Sequence, residues 1–155
     1  MMMRLSCDVI KALEGKTLVT AESCTGGGIG AALTAVPGSS AVFKGGVICY
    51  TDWVKRTVLG VEQALLDRCG AVSREVAEKM ASGVRDLLKA DVAVSVTGLA
   101  GPGADEHGHP VGTVYIGYCS DVHTQVCEYH FTGDREAVRQ QTVKAALELI
   151  LANEK

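Results

Sequence analysis

Residues 17–30, TLVTAESCTGGGIG, contain the pattern that decides the fold. Residues 17–23 are β-rich and end in small polar side chains, which predicts a strand. A cluster of glycines follows and then the apolar run AALTAV, which predicts a turn and a helix. Pro37 and Gly38 are expected to stop that helix. The stretch is therefore a strand–turn–helix unit.

Outside this unit, strands and helices alternate along the chain. Helices are predicted at residues 5–13, 53–68 (broken near Gly60), 73–89 (with Ser73 as N-cap) and 134–153. Further strands are predicted at residues 46–51, 91–97, 111–120 and 124–131. The last two strands form an antiparallel hairpin, so the pattern predicts an α/β layered domain. No repeat or low-complexity linker interrupts it, which indicates one domain over residues 1–155.

Composition excludes several classes of protein. Hydrophobic residues make up 47% of the 155 and charged residues 21%, which is typical of a globular chain. The formal net charge is −3 and no segment is strongly basic, so a nucleic-acid-binding module is not expected. No apolar run approaches the roughly 18 residues of a membrane helix, and early acidic residues argue against a signal peptide. A cytoplasmic protein is expected.

The six cysteines form no C-x-x-C pair, so neither a zinc knuckle nor a thioredoxin motif is present. They lie in apolar stretches, which favours buried free thiols in a reducing cytosol.

Ser23 lies at the predicted carboxyl end of a strand, just before a helix. Open α/β sheets bind ligands at such ends, and a helix start offers free N–H groups. The Ser23 hydroxyl is therefore a candidate nucleophile, with the amides of residues 25–27 as candidate donors either to an oxyanion or to a phosphate. The pattern equally fits a structural role, in which the hydroxyl of Ser23 or Thr25 only caps the helix.

A dinucleotide site is a competing interpretation of the same glycines. Gly26, Gly28 and Ala31 match the fingerprint G-x-G-x-x-G/A. That fingerprint also requires an acid about 20 residues further on. No Asp or Glu occurs between Glu22 and Asp52, which argues against a dinucleotide redox fold.

Two later stretches also supply candidate residues. Lys55 is predicted in a short helix just after Tyr50, and a buried lysine can lose its proton near neutral pH, although most lysines are solvated. Thr97 ends a strand and opens the glycine-rich loop GLAGPG. Because this loop and the one after Ser23 both follow strand ends, we expect them to share one crevice.

The charged groups near the end of the chain have both plain and functional interpretations. Asp134 is a candidate cap of the last helix, and Arg139 either points inward to an anion or is solvated.

His107 and His109 form an H-x-H pattern near acidic residues, but no third ligand has convincing spacing for a metal site.

Together these segments resemble the C-terminal domain family of the competence/damage-inducible protein CinA. The matching stretches are TAESCTGGGIG, VPGSSAVFKGGVICYTDWVKRTVLGV, GAVSREVAEKMA, DVAVSVTGLAGPG, PVGTVYIGY and FTGDREAVRQQT, in family order over nearly the whole chain. The resemblance implies a three-layer α/β/α sandwich with a mixed, mostly parallel sheet of about five strands.

The resemblance also implies an activity. Family members with a defined reaction hydrolyse the carboxamide of nicotinamide mononucleotide to nicotinic acid mononucleotide and ammonia, without a metal or organic cofactor. Ser23 would be the nucleophile and Lys55 its base, with Tyr50 or Ser40 relaying protons. The residues expected around a small-molecule nucleotide substrate are Thr25, Gly26, Gly27, Ser40, Thr97 and Arg139.

The chain departs from the family pattern at Thr51, Asp52 and Trp53 and in the loop ADEHGH, which puts substrate contacts in question. A homo-oligomer is an expectation from the family alone. The alternative function is a non-catalytic nucleotide- or phosphate-binding module with a regulatory role, for which the same glycine loops would serve.

Overall fold

The computed structural model describes residues 1–154, so Lys155, the last residue of the predicted domain, lies outside the described residues. The strands are β1 (Leu18–Glu22), β2 (Phe43–Ile48), β3 (Val92–Gly98), β4 (Thr113–Cys119) and β5 (Thr124–His130). The helices are α1 (Met2–Ala12), α2 (Gly28–Thr34), α3 (Asp52–Leu59), α4 (Gln63–Cys69), α5 (Arg74–Leu88) and α6 (Arg135–Glu154). A short 3-10 helix, Ser39–Ala41, precedes β2.

The five strands form one mixed sheet in the order β2-β1-β3-β4-β5. Strand β1 runs parallel to both β2 and β3, whereas β4 is antiparallel to β3 and to β5. Only β4 is therefore reversed, which confirms the predicted mixed, mostly parallel sheet. The carboxyl ends of β1, β2 and β3 meet at one edge, where open α/β sheets bind ligands.

Helices cover both faces of the sheet. Successive residues of β1 point to opposite faces, as strand geometry requires. Leu18 packs in a core with Ile29 of α2 and Ile150 of α6, on the face that α1 also covers. Val19 packs with Leu59 of α3 and Met80 of α5, on the face that also carries α4. The two cores make the three layers that were predicted.

Strand β2 lies earlier in the chain than the predicted strand at residues 46–51. The sequence predicts that the second strand begins at Gly46, but Phe43 and Gly45 already pair with β1. A side chain on Gly46 would bring its Cβ to 2.2 Å from Thr20 Oγ1, so glycine permits this close approach. As a result Tyr50 does not end a strand; it lies beyond β2 and just before α3.

The helix ends that position the site have identifiable caps. Thr51 Oγ1 accepts the Val54 amide at 3.4 Å and starts α3, while Gly60, with φ 73°, ends it. Ser73 Oγ accepts the Val76 amide at 3.3 Å, which confirms the predicted cap of α5. Asp134 Oδ1 likewise accepts the Ala137 amide at 2.9 Å at the start of α6.

All six cysteines are free thiols, as expected, but only Cys24, Cys49 and Cys119 are buried. The expected burial is wrong for the exposed Cys7 and for the half-buried Cys69 and Cys127. None of the helices within residues 1–154 combines the length and the apolarity that crossing a membrane requires.

Candidate active site

Ser23 and Lys55 are in direct contact at the carboxyl edge of the sheet. Ser23 follows β1, and its amide donates to the Val96 carbonyl of β3 at 3.1 Å. Lys55 lies on α3, and its Nζ lies 3.1 Å from Ser23 Oγ. Nζ also donates to the Cys49 carbonyl at 2.8 Å. These bonds hold the amine beside the hydroxyl, within the reach that a general base requires.

Lys55 is buried without a counter-ion. Only 2% of its surface is exposed, although lysines are almost never fully buried unless they are paired. None of the ion pairs formed within residues 1–154 includes Lys55. Burial lowers the pKa of Lys55, and the opposing effects of Cys49 and then Asp52 do not reverse that direction. The site therefore favours the neutral amine, which is the form that accepts a proton.

Two buried thiols flank this pair without competing for the role of nucleophile. Burial raises the pKa of Cys24 to about 12 and that of Cys49 to about 11. A thiol with so high a pKa stays protonated, and the thiolate is the reactive form. Ser23 is thus the nucleophile candidate that contacts a base.

The pair opens into a cavity of about 490 Å³. The structure brings Ser23, Lys55, Tyr50 and Thr97 together around it. Thr97 is buried, and its hydroxyl donates to the Ala71 carbonyl at 2.9 Å, so it fixes the cavity wall. Tyr50 is 57% exposed at the mouth, and its hydroxyl accepts a bond from Arg135 rather than contacting Ser23 or Lys55.

The glycine loop is a scaffold of the site rather than a lining of the cavity. Glu22, 2% exposed, accepts the Ile29 amide at 2.8 Å and the Gly30 amide at 3.0 Å. The Thr25 hydroxyl donates to the same carboxylate at 2.7 Å. This buried carboxylate thus occupies the start of α2, where a phosphate or pyrophosphate would otherwise bind. The arrangement excludes the dinucleotide interpretation.

Two further loop residues expected at the substrate, Gly26 and Gly27, shape the turn. They adopt φ values of 59° and 102°, a left-handed region that favours glycine. The Gly26 amide donates to the Ser23 carbonyl at 3.1 Å and is therefore engaged. Neither glycine, nor Thr25, lines the cavity.

The structure places Arg135 at the cavity and not Arg139, the arginine of α6 that was expected near the substrate. Arg139 donates to the carbonyls of Cys24 and Thr25, both at 3.1 Å, so it supports the nucleophile loop outside the cavity. Arg135 lines the cavity instead. It donates to the Gly101 carbonyl at 2.8 Å and to the Tyr50 hydroxyl at 2.9 Å. Sequence reasoning missed Arg135; its position directly after the capping Asp134 was the available signal.

Ser40 does not reach the cavity. It is exposed on the 3-10 helix before β2, and Phe43 at the start of β2 pairs with Leu18 at the start of β1. Ser40 therefore lies at the amino edge of the sheet, whereas Ser23 follows the carboxyl end of β1. Ser40 cannot relay protons to Ser23 in this chain, because the length of β1 separates them.

The loop that holds the two histidines forms part of the cavity through Asp105. His109 bonds to this carboxylate with both its amide, at 3.0 Å, and its Nδ1, at 2.6 Å. Among residues 1–154, no three His, Cys, Asp or Glu side chains are grouped as ligands for a metal.

Comparison with known proteins agrees with this architecture. The family model described as CinA C-terminal domain matches residues 3–153. A CinA-like protein of Parasynechococcus marenigrum is 50% identical over 138 residues, which cover 87% of this chain and 33% of the relative. A CinA-like protein of Endomicrobium trichonymphae is 46% identical over 135 residues, covering 87% and 32%. The chain spans about a third of the length of these curated relatives.

Solved structures match over nearly their full length. A CinA superfamily protein of Klebsiella pneumoniae superposes with a TM-score of 0.97 at 36% identity, covering 99% of this chain and 98% of that one. The competence/damage-inducible protein of Agrobacterium tumefaciens gives 0.96 at 39% identity, covering 99% and 96%. The sequence match and the shared sheet together establish that this chain belongs to the CinA C-terminal domain family.

Proposed function

We propose that this chain hydrolyses the carboxamide of nicotinamide mononucleotide to nicotinic acid mononucleotide and ammonia. One observation carries the proposal: Nζ of a buried lysine without a counter-ion lies 3.1 Å from the hydroxyl of Ser23. A serine hydroxyl is a weak nucleophile until an adjacent base removes its proton. Lys55 is the base in this proposal.

The reaction begins when Ser23 Oγ attacks the carboxamide carbon and its proton moves to the neutral Nζ of Lys55. Negative charge then develops on the carboxamide oxygen. The Cys24 amide follows the nucleophile directly and donates to no acceptor within residues 1–154, and Cys24 lines the cavity. It is the candidate oxyanion donor, because the amide after a nucleophile serves this role in other acyl-transfer sites.

The leaving group and the acyl intermediate need the same lysine. The Lys55 ammonium returns its proton to the departing nitrogen, which leaves as ammonia as the C–N bond breaks. Neutral Lys55 then removes a proton from water, which attacks the ester carbonyl. As the C–O bond breaks, the Lys55 ammonium returns its proton to Ser23 Oγ, which restores the hydroxyl and the neutral amine; the carboxylic acid released then ionises to the carboxylate.

Arg135 supplies the anchor for the phosphate of the substrate. It lines the cavity, and its two protein bonds fix the guanidinium at the mouth. A guanidinium binds phosphate through paired, charge-assisted hydrogen bonds. The start of α2 is closed to phosphate by Glu22, which leaves the anchor to Arg135.

The rival function is a non-catalytic nucleotide- or phosphate-binding module. Such a module has no need of a buried amine against a serine hydroxyl, so the contact favours the enzyme. The test is ammonia release from nicotinamide mononucleotide by the purified protein, with Ser23→Ala as the matched control. Release by the wild type alone supports the proposal. Binding of the nucleotide without ammonia release would favour the rival.

A further inference from the structure

The cavity carries groups of opposite hydrogen-bonding character. Arg135 can only donate hydrogen bonds, and an ionised Asp105 can only accept them. Both line the cavity that Ser23 and Lys55 open into. A ligand that satisfies both groups must combine an acceptor, for which an anion is well suited, with hydrogen-bond donors such as hydroxyls. A ribose phosphate has that combination, because its phosphate and its 2′,3′-diol lie on opposite sides of one sugar ring.

Asp105 is held in place before any ligand arrives. The His109 amide donates to Oδ1 at 3.0 Å, and His109 Nδ1 lies 2.6 Å from Oδ2. The Asp105 side chain is 16% exposed and that of His109 is 24% exposed. Partial burial opposes ionisation, but the hydrogen bonds from His109 hold the pKa of Asp105 below its usual range. The carboxylate is therefore ionised and fixed at neutral pH.

Asp52 is the other carboxylate of the cavity wall. It is exposed in the first turn of α3 and makes no side-chain hydrogen bond or ion pair among the described residues. A free, solvated carboxylate loses more side-chain entropy on binding a ligand than a fixed one does. The fixed carboxylate of Asp105 therefore binds ligand hydroxyls with a smaller loss of entropy than that of Asp52.

We propose that Asp105 binds the 2′,3′-diol of a ribonucleotide substrate, with His109 as the positioning residue of its carboxylate. The inference rests on the proposed function, since it assigns the ribose end of the same substrate. Carboxylates bind ribose hydroxyls in the same way in dinucleotide sites of unrelated folds. The bidentate geometry of a carboxylate suits two neighbouring hydroxyls, so loss of either hydroxyl weakens binding.

The experiment compares ribose and 2′-deoxyribose ligands across a set of variants. The kcat and KM of wild type and Asp105→Asn are measured with nicotinamide mononucleotide and its 2′-deoxy analogue. In parallel, calorimetry gives Kd values for ribose 5-phosphate and 2-deoxyribose 5-phosphate. The matched control is Glu106→Gln, because Glu106 lies on the same loop but does not line the cavity.

We expect the wild type to favour ribose by about tenfold to a hundredfold, the range for a hydrogen bond to a charged group. Asp105→Asn should lower this ratio to within about threefold of unity, mainly through KM. His109→Gln should lower the preference for ribose partly, and Glu106→Gln should leave that preference unchanged. A ratio that persists in Asp105→Asn, or that disappears only in Asp52→Asn, overturns the inference.

The two measurements separate this inference from the proposed function. Ribose-selective binding that depends on Asp105, without ammonia release, keeps the inference and removes the amidohydrolase. If ammonia is released but Asp105→Asn leaves the ribose preference unchanged, the amidohydrolase is kept and the inference is removed. An equal loss with both sugars, accompanied by a lower melting temperature, assigns Asp105 a purely structural role and also overturns the inference.

Discussion

Arg135 and Arg139 lie about one turn apart at the start of α6 but bind different loops. Arg135 donates to the Gly101 carbonyl beside the cavity, whereas Arg139 donates to the Cys24 carbonyl in the nucleophile loop. Equivalent substitutions at the two positions should therefore have different effects on substrate binding and on folding.

Arg135→Ala should raise KM for nicotinamide mononucleotide by about tenfold or more and leave the melting temperature nearly unchanged. The reason is loss of a charge-assisted bond to phosphate, worth about 1.5–3 kcal/mol. Arg139→Ala is the matched comparison and should lower the melting temperature instead. Steady-state kinetics and thermal unfolding of both variants check this. A KM change that is larger for Arg139→Ala would contradict the assignment.

Ser23→Ala should abolish ammonia release while the protein keeps its fold. The hydroxyl forms its one side-chain bond with Lys55, so its removal deletes the nucleophile and little else. Activity is measured with nicotinamide mononucleotide, and folding by circular dichroism. Activity within tenfold of the wild type would remove Ser23 from the role.

Lys55→Arg should lose activity almost as fully as Lys55→Ala, by about 10²–10⁴-fold. A guanidinium stays protonated and cannot accept the serine proton. Wild-type kcat/KM should rise with pH through a pKa below 10.5, because burial lowers the pKa of Lys55. An active arginine variant would make Lys55 a simple positive charge, and the base would lie elsewhere.

Lys55→Met should make stability less dependent on pH. The Lys55 pKa is lower when folded than its ordinary value of 10.5, so below 10.5 the unfolded chain binds more protons. The lysine's effect on stability therefore becomes more favourable as pH rises from the folded pKa toward 10.5. The melting temperature of Lys55→Met relative to wild type should be highest below the folded pKa of Lys55 and decline as the pH rises from that pKa toward 10.5. If the melting temperature of Lys55→Met relative to wild type instead rose with pH, the lowered pKa of Lys55 would be contradicted.

Treatment with a chelator should leave ammonia release unchanged, since the proposed chemistry uses only Ser23 and Lys55. The assay compares untreated and EDTA-treated protein. Loss of activity that one divalent metal restores would instead direct attention to His107 and His109.

The sequence predicted the layers and the Ser23–Lys55 contact, but not the full cavity wall. Strand ends and helix caps are local features, and the family resemblance added the pairing of two distant residues. The expected position of Ser40 beside the substrate was wrong. The residues around Ser40 do not indicate at which edge of the sheet Ser40 lies. That edge depends on the pairing of Phe43 with Leu18.

Arg139 was expected near the substrate, and Arg135 was overlooked, for a different reason. Residues four apart share one helix face, so periodicity cannot tell Arg135 from Arg139. What separates them is about 6 Å along the helix axis, which places one side chain at the cavity and the other at the glycine loop. Asp105 and His109 lie in a loop without periodicity, so only the folded chain brings them to the cavity.

The carboxylate of Glu22 gives the nucleophile loop an anion of its own. Where a loop at a helix start must be ordered by the phosphate that it binds, the free energy of binding includes the entropy lost in ordering the loop. Here the anion is covalently part of β1, adjacent to Ser23, and its bonds to Ile29 and Gly30 exist without any ligand. The loop that carries Ser23 is therefore ordered before any ligand binds. Under the proposed function, substitutions at Arg135 can change the affinity for the phosphate without moving Ser23.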